Sequence, residues 1–198
     1  MLYQILKRWY QLRNIDVSQC DLVVPLGYGL LTRSSLPDAE LKVLKMAKQI
    51  AKKHQVPIAW ASSNYFWDNC EGQENRLKAH LLGAKFNPII GDGITNSITE
   101  AYSIQTKIID KKIKSDTIVL VADWAHARSA KNIWSKIWPE AKITVISIDA
   151  NWHQSSPVFF QRSRSRWLAV NLVRHIALKI LGMRIKKIRH PLKNTHSR

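Results

Sequence analysis

The sequence is poor in cysteine, with Cys20 and Cys70 alone among 198 residues. Two cysteines cannot build the disulfide framework of a small secreted domain, and no Cys-x-x-Cys pair or Cys/His cluster has the spacing of a zinc site. We therefore expect two reduced thiols, as in a reducing compartment. The sequence also contains no repeat of fixed period, which argues against solenoid and propeller folds.

Long apolar runs are missing as well. No stretch reaches the ~18 apolar residues that a membrane span needs. The first residues, MLYQILKRWYQLRN, show neither the long apolar segment nor the small-residue cleavage site of a signal peptide. We expect a cytoplasmic protein that meets a membrane at most peripherally, at the inner membrane.

Acidic residues are absent from the last quarter of the chain. All 14 lie at or before Asp149, and 11 of the 31 Lys and Arg residues follow it. The net charge of +17 is therefore divided into +6 on the first 149 residues and +11 on the last 49. This asymmetry predicts an anionic partner for the C-terminal part: phospholipid headgroups, nucleic acid or an acidic protein. The alternative is a solvated basic tail that only aids solubility.

Strand-like and helix-like patterns alternate along the rest of the chain. Strands are predicted over 21–27, 56–61, 87–90, 116–122 and 142–148, and helices over 37–53, 76–82, 95–112, 127–138 and 166–181. Residues 63–76 and 150–165 are predicted to be irregular. Such alternation with short connections predicts an α/β fold, a Rossmann-like three-layer sandwich with a mostly parallel sheet of about five strands.

The predicted organisation has three parts. Residues 1–19 form an amphipathic helix and linker, residues 20–182 the Rossmann-like domain, and residues 183–198 a basic tail. A 45% hydrophobic content is enough for one large core.

Polar residues and glycines gather after the predicted strands, where open parallel sheets bind ligands. Glycine allows close backbone approach, and helix N-termini favour anions. We expect ligand binding by Gly27, Gly29, Ser62, Ser63, Asn64, Asp92, Asn96, Ser97 and Arg128. We expect catalytic roles for His126, Asp123 and Glu100.

Each role has a chemical reason and an alternative. His126 would act as acid–base group or phosphate contact, oriented by Asp123, and the alternative is a structural histidine at a helix N-terminus. Arg128 offers a guanidinium fork for phosphate or carboxylate. Asp92 and Glu100 together with Asp123 are a divalent-cation hypothesis, but spacing alone does not show that their oxygens converge, and no metal site is predicted.

Standard nucleophile and cofactor motifs do not occur. Ser62 or Ser63 is a weak nucleophile candidate, because neither lies in a Gly-x-Ser-x-Gly elbow. Gly27-x-Gly29 lacks the third glycine of the dinucleotide fingerprint, and there is no Walker sequence. The sequence therefore identifies no cofactor.

Four segments resemble, in order and spacing, the bacterial domain-of-unknown-function family that includes the envelope proteins SanA and ElyC and the cytoplasmic protein YdcF. The segments are Val23–Gly29, Ser62-Ser63-Asn64, Asn96–Glu100 and Leu120–Arg128. The second has lost the family's glycines, and the family's Arg aligns with Arg128 or Ser129. The resemblance implies a Rossmann-like fold, a polar pocket and a link to envelope or peptidoglycan-precursor metabolism.

Three functions compete. The first is binding, with or without chemical transformation, of a phosphorylated or nucleotide-like small molecule at the strand ends. The second is a non-enzymatic peripheral membrane factor that docks on anionic lipid through its basic C-terminus. Its last helix would present one apolar face, although covering the sheet is the commoner role of such a helix. That face comprises Leu168, Leu172, Val173, Ile176, Ile180 and Leu181.

The third function is non-specific nucleic-acid binding, supported by the net charge and eight tryptophans. The aromatic residues are scattered through the chain rather than interleaved with the basic run, which argues against a stacking platform.

Overall fold

The computed structural model describes residues 4–5, 17–27, 29–63, 71–83, 88–94, 96–149 and 159–180. Strands and helices alternate through these residues as predicted. The elements are β1 (Leu22–Pro25), α1 (Asp38–His54), β2 (Ala59–Ser63), α2 (Glu71–Leu82), β3 (Ile89–Ile94), α3 (Ser97–Asp110), β4 (Thr117–Asp123), α4 (Trp124–Ile137), β5 (Lys142–Ile148), a 3₁₀ helix (Phe159–Arg162) and α5 (Arg164–Ile180). The predicted basic tail, and almost all of the predicted N-terminal helix, lie outside the described residues.

These five strands pair in parallel, and the pairings form two ladders. One ladder has the order β1-β4-β5, and the other pairs β2 with β3. A parallel bridge between Val23 and Ile58 joins them, and the Val23 amide donates to the Pro57 carbonyl oxygen at 3.1 Å. The strands therefore follow the order β3-β2-β1-β4-β5. The predicted α/β fold with about five mostly parallel strands is confirmed.

Helices cover both faces of this sheet. On one face α3 and α4 pack through residues such as Ile104 and Trp134 against Leu22 and Leu120. On the other face α1 and the start of α5 pack through residues such as Val43 and Trp167. Strands β1 and β4 are buried from end to end, since both of their faces are covered. Within the described residues, no helix is both long and apolar enough to cross a membrane.

Several element boundaries differ from those predicted. β5 occupies its predicted range, and both ends of α1 lie one residue beyond their predicted positions. β3 runs to Ile94, so it includes the Gly91-Asp92-Gly93 segment that was expected in a loop. α4 begins at Trp124 and α2 at Glu71, three and five residues before the predicted starts. The earlier start of α2 has consequences for the site.

The helices that begin at the C-terminal edge of the sheet are capped by side chains in two cases. Asn96 Oδ1 accepts from the amides of Ile98 and Thr99, and Thr99 Oγ1 pairs reciprocally with the Asn96 backbone, which completes a capping box for α3. Asp123 Oδ1 accepts from the Ala125 amide at 2.9 Å and caps α4. These caps fix the first turns of α3 and α4, on which Glu100 and His126 lie.

Candidate functional site

The strand order reverses between β1 and β4, since the chain adds β2 and β3 on one side and β4 and β5 on the other. In open α/β sheets the crevice outside such a switch point is the usual ligand site. Gly27 follows β1 and His126 follows β4, so both stand at this edge. Two groups of buried polar side chains occupy it.

The first group is an ion network centred on Lys78. Its ammonium lies 3.0 Å from Glu40 Oε1 and 2.7 Å from Glu74 Oε1, and all three side chains are at most 1% exposed. Burial alone would lower the pKa of Lys78, but the two carboxylates raise it above its ordinary value. The lysine is therefore held as a cation by its partners.

Gly27 leaves room for this network. A Cβ atom at residue 27 would lie 2.6 Å from Glu40 Oε2 and 2.9 Å from Lys78 Nζ. The network therefore packs directly on the backbone at the end of β1. Gly27 was predicted to make room for a ligand, and the structure shows this space filled by the chain's own charged side chains.

Glu100 adds a third carboxyl group to the surroundings of Lys78. It is 7% exposed, in the first turn of α3. Burial raises the pKa of Glu100 to about 8, and the charges of Glu40 and Glu74 add to this rise against the opposing effect of Lys78. At neutral pH Glu100 is therefore a protonated carboxylic acid and a hydrogen-bond donor.

Ser62 belongs to the frame of the same region. Asn75 Oδ1 accepts from Ser62 Oγ at 2.5 Å and from Trp60 Nε1 at 2.8 Å, which ties the end of β2 to α2. Both Ser62 and Trp60 are fully buried. This gives the Ser62 hydroxyl a structural bond, and no base contacts it among the described residues.

The second group is built around His126 at the start of α4. Asn171 Nδ2 donates to the Trp167 carbonyl oxygen at 2.9 Å, so its Oδ1 is the atom that faces His126 Nδ1 at 3.0 Å. Since an amide oxygen only accepts, Nδ1 must carry the proton. In the neutral ring Nε2 then has a free lone pair, and no hydrogen bond to it is made by the described residues. Trp167 packs on the ring, with centroids 5.5 Å apart.

The charge state of His126 follows from its surroundings. Burial lowers its pKa to about 4; the bond to Asn171 opposes this shift, and the charge of Arg174 adds to it. His126 is thus a neutral base at pH 7. A buried neutral imidazole with one nitrogen tethered and the other bare is the usual arrangement of a general base.

Arg174 joins this group to α3. Its Nη1 donates to Ser97 Oγ at 3.4 Å, the guanidinium is partly buried, and burial lowers its pKa below the ordinary value. None of the described carboxylates lies within ion-pair distance of it. A cation near a helix N-terminus faces the positive end of the helix dipole, an unfavourable arrangement that an anion would offset.

The structure therefore divides the predicted site residues. Glu100 lies near Gly27 in the Lys78 region, while Ser97 and His126 are linked through Arg174. Asn96 and Asp123 are helix caps, Arg128 is partly exposed on α4, and Gly29 has a positive φ of 73°. Asn64 and the side chains of Ser63 and Asp92 lie outside what the structure describes.

Sequence reasoning missed most of both groups. Glu74 and Asn75 fell in a segment predicted to be irregular, and Glu40 and Lys78 were not singled out. A usable signal exists: Glu40 lies in register with Leu44 and Ala47 on the inner stripe of α1. Asn171 gives the same signal, a polar residue at helical spacing on a buried face, because it follows Trp167 by four residues in α5.

The opposite edge of the sheet carries a pocket of about 310 Å³ lined by residues that include His54, Lys114 and Asp116. Its exposed Lys114 pairs with Asp21 and with Asp116, so the charges of this pocket are matched within the chain. Burial raises the pKa of the neighbouring Cys20 to about 11, so this thiol is protonated and unreactive. In the described part of the chain, no cluster of three or more His, Cys, Asp or Glu side chains is arranged to hold a metal.

Comparison of the chain with models of protein families, with curated proteins and with solved structures found no match.

Proposed function

We propose that this chain binds a phosphorylated or nucleotide-like small molecule at the C-terminal edge of the sheet, next to the first turns of α3 and α4. Arg174 contacts the anionic group, and His126 serves as a neutral acid–base group beside it. The observation that carries the proposal is the partly buried guanidinium of Arg174, which donates to Ser97 and faces no carboxylate of the described chain.

The anion is held by side chains rather than by helix amides. The first amides of α3 already donate to Asn96, and Ala125 in α4 donates to Asp123. A phosphate group that meets Arg174 and Ser97 gains a charge-assisted hydrogen bond and a hydroxyl donor. This differs from the glycine-rich phosphate loops, in which backbone amides do most of the binding.

In a reaction on that ligand, His126 Nε2 accepts a proton, and Asn171 keeps the ring in the tautomer that leaves Nε2 bare. Glu100, protonated at neutral pH, lies in the neighbouring Lys78 region on the first turn of α3 and would supply the acid. Two titratable groups whose surroundings push their pKa values apart are a typical acid–base pair. The proposal extends, through the resemblance to the SanA, ElyC and YdcF family, to bacterial envelope and peptidoglycan-precursor metabolism.

Isothermal titration with inorganic phosphate, pyrophosphate and a nucleoside diphosphate tests the binding step. We expect at least one of these to bind, and Arg174→Met to weaken it about tenfold or more, as expected for the loss of a charge-assisted contact. The matched control is Arg166→Met, on the exposed face of the same helix. Equal binding by both variants, or no binding of any probe to the unaltered chain, would refute the proposal.

Nitrogen-15 NMR of the histidines tests the acid–base group. We expect His126 to be neutral at pH 7 with its proton on Nδ1. Asn171→Asp retains an acceptor but adds a charge, so it should raise the pKa of His126 above about 4. A proton found on Nε2 in the unaltered chain would remove His126 as the base.

A further inference from the structure

Helix α5 exposes apolar side chains and buries polar ones. Its inner face consists of Trp167, Leu168, Asn171 and His175, all at most 6% exposed. On its outer face Val173 is 66% and Ile176 43% exposed, with Arg166 and Ala169 exposed on the same stripe. The predicted apolar face is therefore split, since Leu168 packs inward while Val173 and Ile176 point outward. An exposed apolar stripe lowers solubility unless something covers it.

The 3₁₀ helix extends this outer face. Phe159 is 61% exposed, and the Arg166 guanidinium lies 4.2 Å from its ring centroid. Arg162, at the end of the 3₁₀ helix, is also exposed. We call Phe159, Arg162, Arg166, Ala169, Val173 and Ile176 the outer patch. It combines an aromatic ring, aliphatic side chains and arginines.

The outer patch belongs to the basic C-terminal part of the sequence, where Arg164 pairs with Asp149. No acidic residue follows Asp149, whereas 11 Lys and Arg residues do. Helices that lie on membranes bury an apolar face at the headgroup boundary and surround it with Lys and Arg, which attract anionic lipid. A nucleic acid would use the same cations but would gain little from Val173 or Ile176.

We propose that the outer patch docks on an anionic lipid bilayer, with α5 lying in the plane of the surface. The apolar residues insert shallowly and the arginines meet the headgroups. The inner face of the same helix, with Asn171 tethering His126, remains turned toward the ligand site. Docking is thus independent of the proposed small-molecule binding, and separate variants test the two.

Flotation of the full chain with vesicles tests the docking. The vesicles contain phosphatidylglycerol mixed into phosphatidylcholine, or phosphatidylcholine alone. We expect binding to the anionic vesicles only, weakened by salt. Val173→Gln should lower the affinity roughly tenfold, because it removes apolar insertion without changing charge. Arg166→Gln should lower it about fivefold, which corresponds to ~1 kcal/mol per basic residue at an anionic surface.

Two matched controls accompany these variants. Ile109→Gln replaces an isoleucine that is 60% exposed at the end of α3, and Lys53→Gln removes an exposed charge at the end of α1. Both should float like the unaltered chain. Because all four residues are exposed, their replacement should leave the fold intact.

Three results would overturn the docking proposal. The first is equal flotation of Val173→Gln and the unaltered chain. The second is equal binding to both kinds of vesicle. The third is loss of self-association in Val173→Gln, with flotation unchanged, which would assign the patch to a second copy of this chain. A further measurement adds duplex DNA to the vesicles. If DNA releases the chain and Val173→Gln still binds DNA normally, the result supports docking on lipid and shows that DNA competes for the arginines.

Discussion

The two edges of the sheet each hold a lysine between two carboxylates, in very different surroundings. At the C-terminal edge, Lys78 meets Glu40 and Glu74 at 3.0 and 2.7 Å, and its side chain is 1% exposed. At the N-terminal edge, Lys114 meets Asp21 and Asp116 at 3.1 and 3.7 Å, and its side chain is 73% exposed. The pairing is similar, so the comparison isolates burial. We infer that the stability of the fold depends on the charges of the buried trio and hardly on those of the exposed trio.

The largest expected effect comes from removing the buried lysine. Lys78→Met leaves two buried carboxylates without their cation, and we expect a loss of about 3–5 kcal/mol in the free energy of unfolding. Lys114→Met is the matched control and should leave that free energy unchanged within error, since exposed pairs contribute little. Urea denaturation of both variants measures the difference. Similar losses in the two would remove the distinction between the edges.

Glu100 should make stability depend on pH. Its pKa is about 8 in the folded chain against an ordinary value of 4.5. Between these values the folded chain holds a proton that the unfolded chain has lost, so stability falls as pH rises through this range. Glu100→Gln imitates the protonated form. At pH 9 we expect it to be more stable than the unaltered chain by roughly 2–4 kcal/mol.

The control for this titration is Glu140→Gln, an exposed position next to the end of α4. Because its side chain is exposed, this replacement should change the free energy of unfolding by less than about 0.5 kcal/mol at either pH. At pH 5 the Glu100→Gln advantage should be much smaller than at pH 9, because pH 5 lies close to the ordinary pKa of 4.5 and holding a proton in the folded chain then costs little. An advantage that does not change with pH would show that Glu100 is ionised in the folded protein.

The fold could be predicted because its strands and outer helices follow simple periodicity. Residues 142–148 largely alternate polar and apolar side chains and are mostly β-branched, and they form β5 without a shift. α1 has a regular apolar stripe and was placed within one residue. Such segments bury enough apolar surface for hydrophobicity alone to define them.

The candidate site could not be predicted in the same way, because its helices bury polar side chains. The segment from Glu71 to Arg76 contains Gly72 and no apolar stripe, so it was predicted to be irregular. Its helix is supported instead by the buried Glu74–Lys78 pair one turn apart, and by Asn75, which bonds to Trp60 and Ser62 on β2. The predicted apolar face of α5 is wrong for the same reason, since Asn171 and His175 occupy inner positions expected for aliphatic residues.

A neutral pair at the C-terminal edge should contribute less than the ion network. Asn171→Leu leaves the buried His126 Nδ1–H without an acceptor, and we expect a loss of about 2 kcal/mol. The proton should also redistribute between the two ring nitrogens, which nitrogen-15 NMR measures. Asn171→Asp, which retains an acceptor, should keep the proton on Nδ1. If Asn171→Leu leaves both stability and tautomer unchanged, Asn171 does not position the ring.

The smallest effect is expected at the N-terminal edge, where Asp21 has two partners of different kinds. Its Oδ2 accepts from the Thr117 amide at 2.9 Å, and its Oδ1 faces the exposed Lys114. We expect Asp21→Ala to cost about 1 kcal/mol through the lost hydrogen bond to the backbone. Asp21→Asn keeps that acceptor and removes the charge, so it should unfold almost like the unaltered chain. If Asp21→Asn lowers the free energy of unfolding as much as Asp21→Ala does, the exposed ion pair with Lys114 stabilises the fold. The Lys78 and Lys114 pairs would then differ only in how much they stabilise it.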